Sequence, residues 1–565
     1  MTSGAARARL VGRWSDLGDG ISLHTGPGPV DITALRAWLR RDLTGPVPLR
    51  QGFAVARHGP DGSLLVATSP RWEQAALYAV DGDTLLVGTH PRELVGALAA
   101  PPPLDVGKLA DLVALHDAPE STVFTGVSRL PLGHALTFAP HQALRVRRWF
   151  HPPTEPDAAL RRAAPDLVRA TVAEAVAASL PPAGDVGATL SGGLDSTTVA
   201  ALAAGILHPD GRRVDALTHV PLPGAVDDHP SWEPDDSPYV RALVAAVPGI
   251  RAAEVVNTAR VRPVQAEAWF HERTWHPSGN PANQAWLNEM VRRTEAAGHP
   301  LLLTGTAGNA TFSRPRQGIV RELAARHAWP ALLREVRRRH ADGLPHRRAA
   351  REVLRDALPP RVLARLRGST PAASGPGPAD LPLVADSLSE AARADLATWE
   401  RLATAPPTRA DWLAMLLGDD SRIDMAQHMS ETVWVSDPLS DPALITLAAR
   451  LPEEAWLTGG RSRGLARAAT AGLLPDPVRL RRTYGSQGAD IAEVVRGHEQ
   501  DYRDLLDRFR ASPSVPGFVD LDALERSLGP DLADPLRAIY WHGVHGRAFS
   551  YGHFAVWYED EVLGR

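Results

Sequence analysis

The sequence predicts two architectures in tandem: an α+β part built on an antiparallel β sandwich over residues 1–152, then an α/β part with a parallel sheet and many helices over residues 160–565. Three observations carry that reading. The hydrophobic period changes across HPPTEP (151–156), strand candidates downstream alternate with helices, and the stretch ATLSGGLDST (188–197) runs an apolar segment into glycines and straight into a helix.

Upstream of 151, short β-like runs follow one another between Gly, Pro and Asp turns: GFAVARH (52–58), SLLVATS (63–69), ALYAV (76–80), TLLVGT (84–89), HALTFAP (134–140) and ALRVRRWF (143–150). Beyond 160, Leu167, Val168, Val172, Ala175, Val176 and Leu180 recur at helical spacing, and Val186 to Leu190 reads as a strand. DALTHVP (215–221), EVVNT (254–258) and PLLLTG (300–305) follow, each after a helical segment, so four strands of a parallel sheet with helices on both faces are expected. From 317 onward the pattern is helical, apart from GSTPAASGPGPADLP (368–382), whose Pro, Gly and Ser content reads as a mobile loop.

Composition excludes several functions. A net charge of -4 provides no basic field for nucleic acid. The absence of cysteine removes disulfides, thiolate metal sites and cysteine nucleophiles. No apolar run is long enough to span a membrane and the N-terminus lacks a secretory pattern, so a soluble, cytoplasmic protein is expected. Lys108 is the single lysine, which leaves arginine to supply positive charge everywhere else.

The chemistry concentrates at 188–197. A strand that ends in Ser191, Gly192 and Gly193 and turns into a helix aims backbone N–H groups outward at the helix's positive end, a nest for phosphate. Glycine lets the backbone approach the phosphates, the serine hydroxyls donate further bonds, and Asp195 can hold Mg²⁺ against the same oxygens. The pattern is not a Walker loop, because no GxxxxGK[ST] occurs. Other features carry less. The run REVRRRHADGLPHRR (334–348) suits an acidic partner or a solvated helix face. His271, Glu272 and His276 lack the helical spacing of a zinc site, and Trp269, Trp275 and Trp286 near Asn280 and Asn283 suit a peptide pocket or core packing.

LSGGLDST resembles the pyrophosphate loop of the asparagine synthetase family, which uses ATP to adenylate a carboxylate and then forms an amide, releasing AMP and pyrophosphate. The resemblance extends to LLLTGTAGNATFS (301–313), to SDPLSDPALITLAARLP (436–452) with GLLPDPVRLRRTYG (472–485), and upstream to RWEQAALYAVDGDTLLVGTHPREL (71–94) and TVFTGVSRLPLGHALTF (122–138). It implies a degenerate class II glutamine amidotransferase-like (Ntn-type) domain followed by a PP-loop ATP pyrophosphatase domain. ATP and Mg²⁺ are the implied cofactors. The nucleotide is assigned Leu190, Ser191, Gly192, Gly193, Asp195 and Ser196, then Thr218, His219 and Val220, then Gly305, Gly308 and Asn309, with Asp195 as metal ligand.

The departures from the family pattern are chemical. The family's glutaminase nucleophile is an N-terminal cysteine, absent here; Thr2 is a poor substitute, so no ammonia is expected and the amine must come with the substrate. Asn309 stands where relatives carry an acid, and Thr483 where they carry a lysine, so Arg481 and Arg482 beside Thr483 are expected to supply the catalytic charge. GNATFS (308–313) and the Asp437-Pro438-x-x-Asp441 pattern are similar to the cyclases that close the isopeptide ring of lasso peptides. That resemblance implies a core peptide as substrate, with a leader-binding protein and a leader peptidase as partners. A β-lactam synthetase-like ligase, or an ATP- and peptide-binding scaffold, are the alternatives.

Overall fold

The structure is a computed structural model that describes residues 6–71, 73–74, 76–118, 120–223, 232–256, 262–341, 343–358, 362, 381–394, 408–418, 428–485, 489–529, 541 and 545–565. Thr2 and residues 368–380 of the expected mobile loop lie outside them.

The N-terminal runs form two sheets. Six strands lie in the order Arg145–Arg148, His134–Phe138, Leu64–Thr68, Phe53–His58, Ile21–Thr25, Ser15–Asp16, all antiparallel. Four others lie in the order Arg7–Val11, Thr84–Gly88, Ala76–Asp81, Val127–Leu130. The strand LLVAT shows why its residues are apolar without alternation: Leu64 and Val66 pack between the sheets with Leu85 and Val87, while Leu65 and Ala67 pack outward with Trp38 and Leu39 of the helix Ile32–Arg40. Both faces are buried, so period two disappears from the sequence. The expectation of a purely antiparallel sandwich is corrected at one edge, where Arg7–Val11 runs parallel to Thr84–Gly88.

The C-terminal part holds a five-stranded sheet: β1 (Val186–Thr189), β2 (Val214–Val220), β3 (Ile250–Val256), β4 (Leu301–Leu303) and β5 (Trp434–Ser436), in the order β3-β2-β1-β4-β5 and parallel throughout. β5 adds a strand to the stretch after 317, where a helical pattern broken only by the loop 368–382 was expected; three residues are too few to show a period. The order reverses between β1 and β4, and a crevice opens beyond the carboxyl ends of strands at such a point.

Buried polar contacts join the two parts. Glu73 is buried against Arg71 at 2.6 Å and accepts from Gly52 N, Ser436 Oγ and Asp437 N, which fixes the end of β5. Arg50 pairs with Asp441 at 2.9 Å. The C-terminal helix Arg547–Glu561 packs on the N-terminal part, with the Tyr558 hydroxyl donating to Pro102 O. Lys108 is buried and paired with Asp117, so the single lysine is structural. No described helix is long and apolar enough to cross a membrane.

Candidate functional site

β1 ends at Thr189, and Leu190 N still donates to Leu217 O of β2 at 2.8 Å. The chain then turns. Ser191 N donates to Ser196 Oγ at 3.1 Å, and Gly192 takes φ +62°, a conformation glycine adopts freely; a Cβ there would also meet Tyr239 Cβ at 2.9 Å. Gly193 precedes the helix Leu194–Leu207, and no side chain caps that helix, so its first N–H groups remain available to a ligand.

Because β4 lies beside β1, the segment after β4 closes on this loop. A Cβ on Gly305 would stand 2.6 Å from Ser196 N, and one on Gly308 would stand 2.3 Å from Asp195 Oδ1. Both glycines are therefore required by close approach. Gly308 does not line the cavity; it sits behind Asp195, while Asn309 faces inward.

Asp195 is the electrostatic centre. Burial pushes its carboxyl up, and the Arg463 guanidinium opposes the shift from 3.4 Å. Arg463 Nη2 also donates to Asn309 Oδ1 at 3.0 Å, so one arginine ties the two loops together. Arg463 adopts φ 60°, ψ 32°, in the left-handed region, immediately before the helix Gly464–Ala469. Sequence reasoning missed it. Its signal, an arginine among glycines in GGRSRG (459–464), does not distinguish it from the many other arginines.

Arg481 and Arg482 both border the site, in different settings. Arg481 is buried in ion pairs with Asp236 (2.6 Å) and Glu233 (3.0 Å), lies over the Tyr239 ring and donates to Thr483 Oγ1 at 3.1 Å. Two carboxylates already neutralise it. Arg482 is exposed at the rim, and Arg467 braces the wall by donating to Ser462 O and Arg481 O.

These groups line one cavity of about 1160 Å³. Leu190, Ser191, Gly192, Gly193, Asp195, Ser196, His219, Gly305, Asn309, Arg481, Arg482 and Thr483 all border it, whereas Thr218 and Val220 do not. Thr218 is buried in β2, because alternate strand residues face opposite sides of the sheet. His219 stacks on Trp286 (4.9 Å between centroids, 27°), and burial pushes its imidazole down to about 4, so it is neutral at pH 7. Phe270, Trp286, Leu287, Met290, Val291, Leu302 and Met429 give the same cavity an apolar wall. Asn283 links Asn280 to the Trp286 indole. Trp275 packs instead on Phe124 and Trp557, and Trp269 lies under Arg273. His271 and His276 are buried, and no group of three or more potential metal ligands occurs among the described residues.

The donor set nonetheless fits Mg²⁺ held together with phosphates, which asks for only one or two protein carboxylates. Asp195 Oδ1 is buried at the phosphate loop without a hydrogen-bond partner. Asp437 and Asp441 serve another purpose: Asp437 accepts from Ala307 N at 2.6 Å and Leu439 N at 3.0 Å, and Asp441 caps the helix Pro442–Arg450.

Burial pushes the Asp437 carboxyl up from 3.8 to about 6. Folded Asp437 thus holds its proton more tightly than the unfolded chain does. Its contribution to stability is full below 3.8, declines as pH rises to about 6, and is level above that. Asp437→Asn is expected to remove this decline; melting curves of both proteins between about pH 4 and about pH 8 check it, and parallel curves would contradict it.

A profile of the asparagine synthase family matches residues 167–548 of the chain. No curated protein matches it.

Proposed function

Since the chain belongs to the asparagine synthase family, whose members are ATP-dependent, AMP-forming amide ligases, we propose that it is a lasso-type peptide cyclase. It joins an Asp or Glu side-chain carboxylate of a core peptide to that peptide's own N-terminal amine. A carboxylate oxygen attacks the α-phosphorus of ATP, and pyrophosphate leaves. The amine then attacks the acyl carbon, loses a proton, and AMP leaves.

The observation that carries the reading is the size and make-up of the cavity. At about 1160 Å³ it exceeds the usual range for small-ligand sites, and its lining joins a polar phosphate loop to a set of large apolar side chains. A peptide folded against that wall would bring amine and acyl adenylate together away from water. The N–H groups of 191–196 would cradle the pyrophosphate, and Arg463 would supply the positive charge that Thr483 lacks. Asp195 would hold Mg²⁺, which neutralises phosphate charge when bound.

The test is a mixture of the purified protein, ATP, Mg²⁺ and a synthetic peptide with a free N-terminus and an Asp or Glu several residues in. Loss of one water from the peptide, with AMP and pyrophosphate in equal amounts, is expected. ATP binding without peptide-dependent pyrophosphate would indicate a scaffold. Turnover confined to a small amino-acid derivative would indicate a β-lactam synthetase-like ligase.

A further inference from the structure

Next to the central cavity lies a second recess. Leu344 lines the cavity, and Pro345, the next residue, lines the recess with Arg347, Arg348, Arg351, Glu352 and Arg355 of the helix His346–Ala357. The recess has a volume of about 600 Å³.

The helix is divided by chemistry. Ala349 and Val353 are buried, while Arg347, Arg348, Arg351, Leu354 and Arg355 are exposed. Arg347, Arg351 and Arg355 recur every fourth residue, which sets them in one row roughly 12 Å long. Like charges at that spacing repel one another. Arg348 answers Glu352 at 3.4 Å and Arg355 answers Asp356 at 3.3 Å, but Arg347 and Arg351 have no carboxylate partner among the described residues. The preceding helix, Trp329–Ala341, uses one of its arginines differently, since Arg339 is fully buried between Glu335 and Asp356. The arginines of this region therefore divide into a buried structural one, Arg339, and the exposed row, in which Arg347 and Arg351 are unpaired among the described residues.

We infer that this row docks an acidic stretch of the peptide substrate lying outside its reactive end. The inference rests on the reading that the central cavity takes a peptide. Continuity through Leu344 and Pro345 lets one extended chain occupy both recesses, so docking at the row would hold the reactive end at the cavity mouth. Nucleic acid fits less well. The row is about two helical turns long, Glu352 lines the same recess beside it, and Leu354, 59% exposed, adds apolar surface that a phosphate backbone does not use.

The test is fluorescence anisotropy of a labelled Glu-Ser-Gly peptide with the full chain, without ATP, so that it is independent of turnover. Binding should weaken with salt, vanish when Gln replaces Glu in the peptide, and fall about 10-fold in an R347E/R351E variant. The exposed positions should leave the melting curve unchanged; single R351Q serves if the double variant misfolds. For a cyclisable peptide carrying an acidic extension, KM should rise about 10-fold with kcat unchanged, and a peptide lacking the extension should show no difference. Equal binding by the variants would overturn the inference. So would oligothymidylate binding as tightly as the acidic peptide and losing affinity in the same variant. If every peptide fails to cyclise while the acidic probe still binds at the row, the reaction assignment fails and the docking surface stands.

Discussion

Asp195→Ala is expected to lower peptide-dependent pyrophosphate release by at least about 10³-fold while the protein remains folded. Asp195 lies at the start of the helix Leu194–Leu207, with one carboxylate oxygen 3.4 Å from Arg463 and the other without a partner. Removing it deletes the one acid of the phosphate loop. The fold should tolerate the change, since burial already disfavours the charged carboxyl. Asp195→Asn keeps the side chain's shape and removes its charge, so it separates a metal ligand from a packing group: an equally inactive Asn variant indicates charge. Pyrophosphate release at the wild-type rate in either variant would sink the assignment.

Arg463→Ala should cost about 10²- to 10³-fold in kcat with a smaller change in KM for ATP, because charge on departing pyrophosphate develops as the transition state forms. The guanidinium is the cation that touches both Asp195 and Asn309, whereas Arg481 is already held by Asp236 and Glu233. Arg481→Lys is therefore expected to disturb the wall around Tyr239 more than the chemistry. Backbone and charge effects at 463 can be separated. Its left-handed conformation costs an arginine about 1 kcal/mol, so Arg463→Gly should melt higher than Arg463→Ala and be equally inactive. Arg463→Lys should retain part of the rate. Comparable kcat in Arg463→Ala and wild type would remove Arg463 from the reaction.

Local features were the legible ones. The glycines of SGGLDS and the strand candidates before them can each be read within a few residues, because turn chemistry and period are local properties, and the missing cysteine is read from composition. β5 was not legible: three residues carry no period, and it is a strand because Leu301–Leu303 pair with its backbone, while the Glu73 carboxylate holds Asp437 N just beyond it. Arg463 was not legible either, since an arginine's role depends on what it faces.

The sequence by itself determined a phosphate-binding turn between a strand and a helix, a sheet built from alternating elements, and a chain without thiol chemistry. Only the tertiary structure decided which charges are free. Arg481, inside the family-like stretch 472–485, is buried against two carboxylates from residues 233–236; Arg463, outside the residues singled out, reaches Asp195; and Asp437 and Asp441 are held by backbone N–H groups, Asp441 by Arg50 as well. The reason is physical: the strength of a charge is set by its partners and its burial, and strand order β3-β2-β1-β4-β5, which brings those partners together, is a long-range property absent from any short stretch of sequence.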